Sequence, residues 1–245
     1  MTDPNLQITL ILIILFFATF IRTVFGFGDA LLAMPTLALL VDVKTATPIV
    51  ALISTLIGFI IIFHSWRNIE FASARRLILS AIPGIVIGLF LLKGVNDSLM
   101  KILLALIIIS FALYKLLKKK THILKTERTS YFFGFISGIL GGAYNTSGPP
   151  IIIYGTLRQW SPTTFRTTIQ GYFIVTEILI LLGHYSSGFW SKEVISISAI
   201  SIPVVLFGYF LGNIVHDRIP VNKFNKYIYG LLLVIGAFLL MTNIG

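Results

Sequence analysis

Long apolar runs alternate with short polar loops along this chain. Ten apolar segments follow one another at residues 6–25, 29–41, 46–64, 76–92, 98–117, 130–141, 147–158, 166–184, 194–212 and 222–243. Apolar runs of this length are typical of helices that lie in a bilayer. The pattern therefore predicts an all-α polytopic membrane protein with five segments in each half.

Three of these segments, 29–41, 130–141 and 147–158, are shorter than the others. A full crossing needs about 20 helical residues, whereas 12 or 13 residues span roughly 18–20 Å at 1.5 Å per residue. We expect partly re-entrant helices that enter the membrane, turn near its midplane and return to the same side. Two full crossings would give the same sidedness, so the pattern leaves that alternative open.

A glycine-broken apolar hairpin occurs twice, about 115 residues apart. The first copy lies at 25–35 and the second at 140–150, so that Gly26 aligns with Gly141 and both copies end on proline. Polar, helix-breaking residues are tolerated at membrane depth only where they line a cavity or are buried in protein. Two such breaks at matching positions point to the binding site of a transporter.

The two halves also match outside the hairpins, which indicates an internal duplication. The matches at an offset of 120 are His64 with His184, Pro83 with Pro203, Gly88 with Gly208, and Phe90-Leu91 with Phe210-Leu211. We therefore divide the chain into a first transmembrane repeat at 1–117, a basic linker at 118–129 and a second transmembrane repeat at 130–245.

Positive charge decides how the repeats are oriented, because Lys and Arg concentrate in cytoplasmic loops. With the 118–128 loop inside, inverted repeats place about 14 basic residues inside and 4 outside, whereas parallel repeats give about 10 and 8. The count predicts inverted repeats with both termini outside. The same rule explains the net charge of +10 without nucleic-acid binding.

Composition narrows the function classes further. The chain is 56% hydrophobic and 11% charged, whereas a soluble domain averages about 25% charged residues. It has no cysteine, which excludes disulfides, thiolate metal sites and cysteine nucleophiles. We find no metal-ligand spacing, nucleotide loop or nucleophile–base set. We therefore expect neither an enzyme nor a bound metal or cofactor. The first segment lacks the basic N-terminal region of a secretory signal, so we expect it to be retained.

The breaks themselves supply candidate ligands for an anion. A helix that begins after each break leaves its first N–H groups without partners and carries about half a positive charge there. Ser147 suits a helix cap, and Pro149 and Pro150 suit a first helical turn. The alternative is that these polar groups only satisfy one another and the broken backbone. The candidate substrate-binding residues at the breaks are Gly26, Gly28, Tyr144, Asn145, Thr146, Ser147 and Gly148.

Ionisable residues within apolar segments form a second set of candidates. Arg22, four residues before the first break, could hold a sulfonate or carboxylate in its planar fork, anchor an interface, or pair with Asp29. Asp29 suits a first helical turn and is a weaker proton-coupling candidate. Glu177 lies mid-segment, where apolar surroundings favour the neutral carboxyl, so it is either a proton carrier or a structural hydrogen bonder. His64 and His184 are expected to be interfacial polar tips.

At both hairpins the chain resembles the TauE/SafE family of sulfite and organosulfonate exporters. The resemblance rests on residues 26–31 with Met34 and Pro35, and on the stretch 141–150. It covers nearly the whole chain, because the family is itself a duplicated membrane unit. It implies permeation of small sulfur-containing or carboxylate anions across the cytoplasmic (inner) membrane. Many members carry more glycine in both turns, so the Tyr-Asn-Thr-Ser stretch suggests a subgroup with a different substrate.

The sequence thus predicts a secondary transporter, an exporter of sulfite or sulfonates that works by alternating access with proton coupling. Its partners would be a small anionic substrate and the lipid bilayer. Two alternatives stay open: an anion channel, and a membrane-embedded enzyme or accessory protein that carries no solute.

Overall fold

The computed structural model of the protein describes residues 4–65, 71–117, 124, 126–215 and 221–244. Every regular element within these ranges is an α-helix. The helices are α1 (Pro4–Phe25), α2 (Asp29–Leu37), α3 (Val43–Ser65), α4 (Phe71–Gly94), α5 (Asp97–Leu117), α6 (Thr129–Tyr144), α7 (Gly148–Leu157), α8 (Pro162–Ser186), α9 (Lys192–Val215) and α10 (Val221–Ile244). Most of the predicted basic linker lies outside the described residues.

The helices correspond one to one to the ten predicted segments. By length and composition, six described helices, α1, α3, α4, α5, α9 and α10, contain a stretch able to cross a bilayer. Large apolar side chains such as Phe63, Phe90 and Met241 are exposed on the outside of the bundle. Because a bilayer is the solvent in which such a surface is stable, the chain is a multi-pass membrane protein.

The helices next to the breaks are short. α2 has 9 residues and α7 has 10, so each is about 14–15 Å long. α6 has 16 residues and is longer than predicted, because the helix continues through Gly141 and Gly142 and ends at Tyr144. The expectation that these two glycines break the chain is therefore wrong.

The glycines of α6 serve instead to bring α4 into contact. A Cβ atom on Gly138 would lie 2.2 Å from the carbonyl oxygen of Ala81, and one on Gly142 would lie 2.3 Å from that of Ile85. Gly84 on α4 has the same relation to the backbone of α6. Small residues allow such close approach in membranes, where van der Waals contact drives helix association. The α4–α6 pair is therefore a tightly packed unit.

Helices of one half of the chain pack against helices of the other half. The first helix of each half packs against the fourth helix of the other, as α1 with α9 and α6 with α4, while α3 packs on α8 and α5 on α10. Gly88 and Gly208, matched in sequence, each face a backbone carbonyl of the partner helix, at Ile139 and Phe16 respectively. The buried core therefore lies between the halves.

His184 does not lie where the sequence suggested. Its side chain is buried, and its Nε2 lies 3.3 Å from the carbonyl oxygen of Gly142 at the end of α6. The expectation of an interfacial polar tip is wrong for His184, because the close approach of α6 covers this part of α8. The side chain of His64 lies outside the described residues.

Candidate functional site

The first break joins α1 to α2 through a short turn. Gly26 and Gly28 have φ angles of +82° and +102°, a region that side-chain-bearing residues rarely adopt. The N–H of Gly26 donates to the carbonyl of Arg22 at 2.6 Å, which closes the end of α1. α2 begins without a side-chain cap, with Asp29 in its first turn as predicted. Both glycines therefore act in the backbone of the turn.

Arg22 lies in the last turn of α1 and binds two carboxylates. Its Nη1 donates to Asp29 Oδ2 at 2.7 Å and lies 2.8 Å from Glu177 Oε1, and its Nη2 donates to Glu177 Oε2 at 3.1 Å. Ser54 on α3 donates its hydroxyl to Asp29 Oδ2 at 2.5 Å. We call Arg22, Asp29, Glu177 and Ser54 the charge cluster.

The charge cluster is buried and joins the two halves of the chain. The side chains of Arg22, Asp29 and Glu177 are 6%, 15% and 8% exposed. With both carboxylates ionised, the three groups carry one net negative charge. Ion pairs at low dielectric interact strongly, and removing one partner leaves a buried charge uncompensated. Of the interpretations open for Arg22, the geometry thus gives the internal pair with Asp29 and extends it to Glu177.

Neighbouring side chains shape the space around the charge cluster. A Cβ atom on Gly58 of α3 would lie 2.8 Å from Glu177 Oε2 and 2.9 Å from Arg22 Nη2, so glycine makes room for the ion pair. The Arg22 guanidinium lies 5.9 Å from the centre of the Phe173 ring. Gln170 lines the same small cavity of about 10 Å³, which has room for about one water molecule.

Sequence reasoning missed Ser54, Gly58, Gln170 and Phe173. One signal was available for Gln170, because it is a polar residue seven positions before Glu177 and thus on the same face of α8. No sequence signal distinguishes Gly58 from other membrane glycines. Its role depends on a partner 119 positions away in the chain.

The second break begins at Asn145, which has a left-handed backbone with φ of 52°. The N–H of Asn145 donates to the carbonyl of Gly141 at 2.7 Å, and the N–H of Thr146 donates to that of Leu140 at 3.2 Å. This is the usual way in which a helix C-terminus satisfies its last carbonyls. The Thr146 hydroxyl donates to the Tyr144 carbonyl at 2.9 Å. Thr146 is therefore used within the turn.

Ser147 does not cap α7, contrary to expectation. No side chain caps this helix, which begins at Gly148 with Pro149 and Pro150 in its first turn as predicted. A cap hydroxyl accepts from the second or third N–H of the helix, and here both positions are prolines without an N–H. The Ser147 carbonyl instead accepts a hydrogen bond from the Ser137 hydroxyl of α6. The prolines also leave this helix start with fewer N–H donors than predicted.

The remaining predicted residues at this break differ in their availability. The Tyr144 hydroxyl donates to the carbonyl of Met100 on α5 at 3.0 Å, so it is committed within the fold. In the part of the chain that the structure describes, the Asn145 amide and the Ser147 hydroxyl have no hydrogen-bond partner, although both residues are about 95% buried. These two groups are therefore available to a ligand.

α8 lies between the two breaks and contacts both. Its Tyr172 hydroxyl donates to Ser137 at 2.8 Å on the α6 side, and its Glu177 binds Arg22 on the α1 side. The Phe173 ring lies beside Arg22, and its edge is 3.8 Å from the position of a Cβ atom on Gly148. The structure thus brings both breaks close to one aromatic ring.

The described residues contain no cluster of His, Asp and Glu that could hold a metal ion. The charge cluster has one basic and two acidic side chains, and its ion pairs join residues from both halves of the chain.

The chain is similar in sequence to known proteins. The chain is 25% identical over 232 residues to a protein of Cupriavidus necator (strain H16) named as a probable sulfite/organosulfonate exporter TauE. The aligned region covers 92% of this chain and 91% of that protein. No solved structure matches the chain. The sequence model of the sulfite exporter TauE/SafE family matches residues 11–239, nearly the whole chain. The protein therefore belongs to the sulfite exporter TauE/SafE family.

Proposed function

We propose that the protein is a secondary transporter that exports sulfite or an organosulfonate across the cytoplasmic membrane. Membership of an exporter family and the name of the relative in Cupriavidus necator support this class of substrate. The observation that carries the proposal is the charge cluster, in which Arg22 at one chain break is held by carboxylates from both halves.

Substrate oxygens would take the place of the Glu177 carboxylate on Arg22. The Nη1 and Nη2 atoms that face Glu177 form a flat pair of donors, which matches two oxygens of a sulfonate or sulfite. Asn145 and Ser147 offer uncommitted polar groups at the second break. The cavity at the charge cluster holds about one water, so binding requires the halves to move apart. Alternating access supplies that movement.

The charge balance of the cluster supports a proposal of proton coupling. With two ionised carboxylates the cluster is negative and repels an anion. When Glu177 accepts a proton, the Arg22 guanidinium donors that face it become free to bind an anion, and the net charge of the cluster becomes zero. Anion and proton then bind together, and by linkage each raises the affinity for the other. The outward gradient of the anion then drives export, because the inward proton gradient opposes the outward movement of the proton.

Glu177→Gln is expected to retain binding and lose its pH dependence. In the wild-type protein, affinity for a sulfonate should rise as pH falls, by up to tenfold per pH unit where one proton is taken up per anion. Glutamine keeps the shape of the side chain but cannot titrate, so the affinity of the variant should not change with pH. Ethanesulfonate is the ligand of choice because its charge is constant over the range. Isothermal titration calorimetry in two buffers of different ionisation enthalpy measures both affinity and proton uptake.

Glu193→Gln is the matched control, because Glu193 lies in the first turn of α9 outside the charge cluster. It should keep the wild-type pH dependence. A wild-type pH profile in Glu177→Gln would place the coupling elsewhere and make Glu177 a structural hydrogen bonder.

Asn145→Gly is expected to weaken ethanesulfonate binding by roughly 1–3 kcal/mol, the value of a buried hydrogen bond to a charged group. Glycine keeps the left-handed backbone at φ 52°, so the change removes the amide without adding strain. Alanine would both remove the amide and strain the left-handed backbone, so the two causes of any change could not be separated. The measurement is the dissociation constant together with the melting temperature of the purified protein.

Gln159→Gly is the control for backbone freedom, because Gln159 is the other non-glycine residue with a positive φ in the described chain and is exposed. It should leave the dissociation constant unchanged. Unchanged affinity in folded Asn145→Gly would show that this turn only completes the fold.

We further propose that the two repeats are inverted, with the 118–128 linker in the cytoplasm and both termini outside. The first helix of each half packs against the fourth helix of the other half, as α1 with α9 and α6 with α4. This repeated pattern supports a two-fold relation between the repeats. The charge count supports the orientation.

Cysteine labelling tests this topology directly in a chain that has no cysteine. A membrane-impermeant maleimide should label Ser186→Cys, the last residue of α8 at its outer end, in intact cells. It should label Gln159→Cys only after the cells are opened. Labelling of Gln159→Cys in intact cells, or a C-terminal tag inside the cell, would contradict inverted repeats.

Counterflow in proteoliposomes tests the transport mechanism itself. Vesicles loaded with unlabelled sulfite or ethanesulfonate should transiently accumulate the labelled anion above equilibrium. A carrier produces this overshoot because loaded sites exchange, whereas an open channel only dissipates the gradient. Flux without overshoot would establish the channel, and no flux of any anion would reject transport.

A further inference from the structure

A second, larger cavity lies at the end of the bundle where the basic linker enters α6. Its volume is about 570 Å³, and it lies between the starts of α4 and α6 and the segment that joins α7 to α8. The residues that form its charged and aromatic lining are Arg75, Arg76, Glu127, Tyr154, Arg158 and Trp160. None of them belongs to the charge cluster.

The carboxylate of Glu127 organises two of the arginines. It forms an ion pair with Arg76 and lies 3.7 Å from Nη2 of Arg158. Arg158 also donates from Nη1 to the carbonyl of Leu124 at 2.9 Å. Three guanidinium groups face one carboxylate, so the lining carries two net positive charges. The cavity therefore attracts anions.

Arg75 supplies one of the two uncompensated positive charges. It is exposed and has no carboxylate partner in the described ranges, unlike its neighbour Arg76. A guanidinium in this position can bind two oxygens of a tetrahedral oxyanion. Tyr154 and Trp160, whose rings are 5.4 Å apart, add an aromatic wall able to contact the carbon portion of such a ligand.

Aromatic rings separate this cavity from the charge cluster. The Trp160 ring lies 6.5 Å from that of Phe165, which lies 6.2 Å from that of Phe27. Phe27 stands between Gly26 and Gly28 at the first break, beside the small cavity that Gly26 and Arg22 line. Successive contacts between three rings thus link the large cavity to the first break.

We propose that the large cavity is a second oxyanion site, which binds a sulfonate or phosphate group before the anion reaches the charge cluster. Its role in loading rests on the proposed function, whereas binding at this site does not. The ligand is either a soluble sulfonate or the phosphate of an anionic lipid headgroup, in which, unlike in phosphatidylcholine, no ammonium group balances the phosphate charge. Both present the same tetrahedral oxyanion to the arginines.

Trp160 provides a direct reporter of binding. The chain has three tryptophans, so Trp66→Phe with Trp190→Phe leaves Trp160 alone. This protein, in nanodiscs of phosphatidylcholine, is titrated with ethanesulfonate and then with inorganic phosphate. A saturable change in Trp160 fluorescence is expected. Arg75→Gln should weaken the apparent affinity at least tenfold, and Arg75→Lys should weaken it less.

Arg128→Gln is the matched control, because it removes one exposed positive charge at the same end of the bundle without altering the cavity lining. It should leave the titration unchanged. If the protein with two tryptophans replaced does not fold, equilibrium binding of labelled ethanesulfonate to the Arg75→Gln and Arg128→Gln variants of the full chain gives the same comparison. Arg75→Gln should then lose one bound anion per chain.

The lipid composition distinguishes the two sources of the oxyanion. Saturation by ethanesulfonate in phosphatidylcholine supports a soluble ligand, whereas a change that appears only with phosphatidylglycerol, and depends on Arg75, supports a lipid headgroup. Equal affinities for Arg75→Gln and Arg128→Gln, or no saturable change with either lipid, would overturn the site. The assay needs no flux, so loss of transport with intact Trp160 titration would count against the proposed function alone.

Discussion

Arg22→Gln is expected to abolish sulfonate binding and counterflow and to lower the free energy of unfolding by about 3–5 kcal/mol. The large effect arises because two carboxylates, Asp29 and Glu177, would remain buried without their cation. The substitution also removes the fork that would hold the anion. Unfolding in denaturing detergent, followed by circular dichroism, measures the first effect, and titration with ethanesulfonate measures the second.

A second substitution separates the two roles of Arg22. Arg22→Gln combined with Glu177→Gln removes one carboxylate with the cation and leaves only Asp29 without a positive partner, so part of the stability should return. Binding should not return, because the guanidinium is still missing. Arg22→Lys keeps the charge but offers no flat pair of donors, so it should fold and bind more weakly than wild type.

Lys101→Gln is the control for removal of an ion pair. Lys101 pairs with Asp97 at 2.8 Å near the start of α5, and Asp97 is 37% exposed. Pairs of this kind contribute about 0–1 kcal/mol, so stability and binding should barely change. Wild-type binding by the folded double variant of Arg22 and Glu177 would show that Arg22 serves the fold and not the substrate.

Gly138→Ala is expected to destabilise the protein by about 3 kcal/mol, at the upper end of the range for overpacked sites. The new Cβ atom would lie 2.2 Å from the carbonyl oxygen and 2.8 Å from the Cα atom of Ala81. Neither atom belongs to a flexible side chain, so α4 and α6 must separate. Because the α4–α6 pair adjoins the second break, binding should weaken as well.

Gly230→Ala is the matched control in a second membrane helix. A Cβ atom on Gly230 would meet nothing within 4 Å, so alanine should be neutral or stabilise α10 by about 0.5–1 kcal/mol. Equal stability of Gly138→Ala and Gly230→Ala would show that the α4–α6 contact adjusts without loss. Both values come from the same detergent unfolding assay.

The sequence predicts the helices well because their cause is local. Ten apolar segments become ten helices, since apolar side chains and an internally bonded backbone are both required in a bilayer. The first break also has a local cause, because Gly26 and Gly28 permit backbone angles that other residues avoid. Pro149 and Pro150 likewise fix the start of α7.

The sequence-based predictions are wrong where contact with a second helix determines the local structure. Gly141 and Gly142 were expected to break α6, but the helix continues through them, and Gly142 permits the approach of α4. His184 was expected at an interface, but α6 covers it. Ser147 is an exception, since the two following prolines, visible in the sequence, already exclude the cap.

By itself, the sequence determined that this protein is an all-helical membrane protein with two chain breaks and a short set of intramembrane charges. Hydrophobicity and backbone chemistry act over a few residues, so they can be read without a fold. Only the tertiary structure decided that Arg22 binds Glu177, 155 positions away, as well as Asp29. That choice depends on how the two halves pack, because a buried charge takes the partners that packing brings within reach.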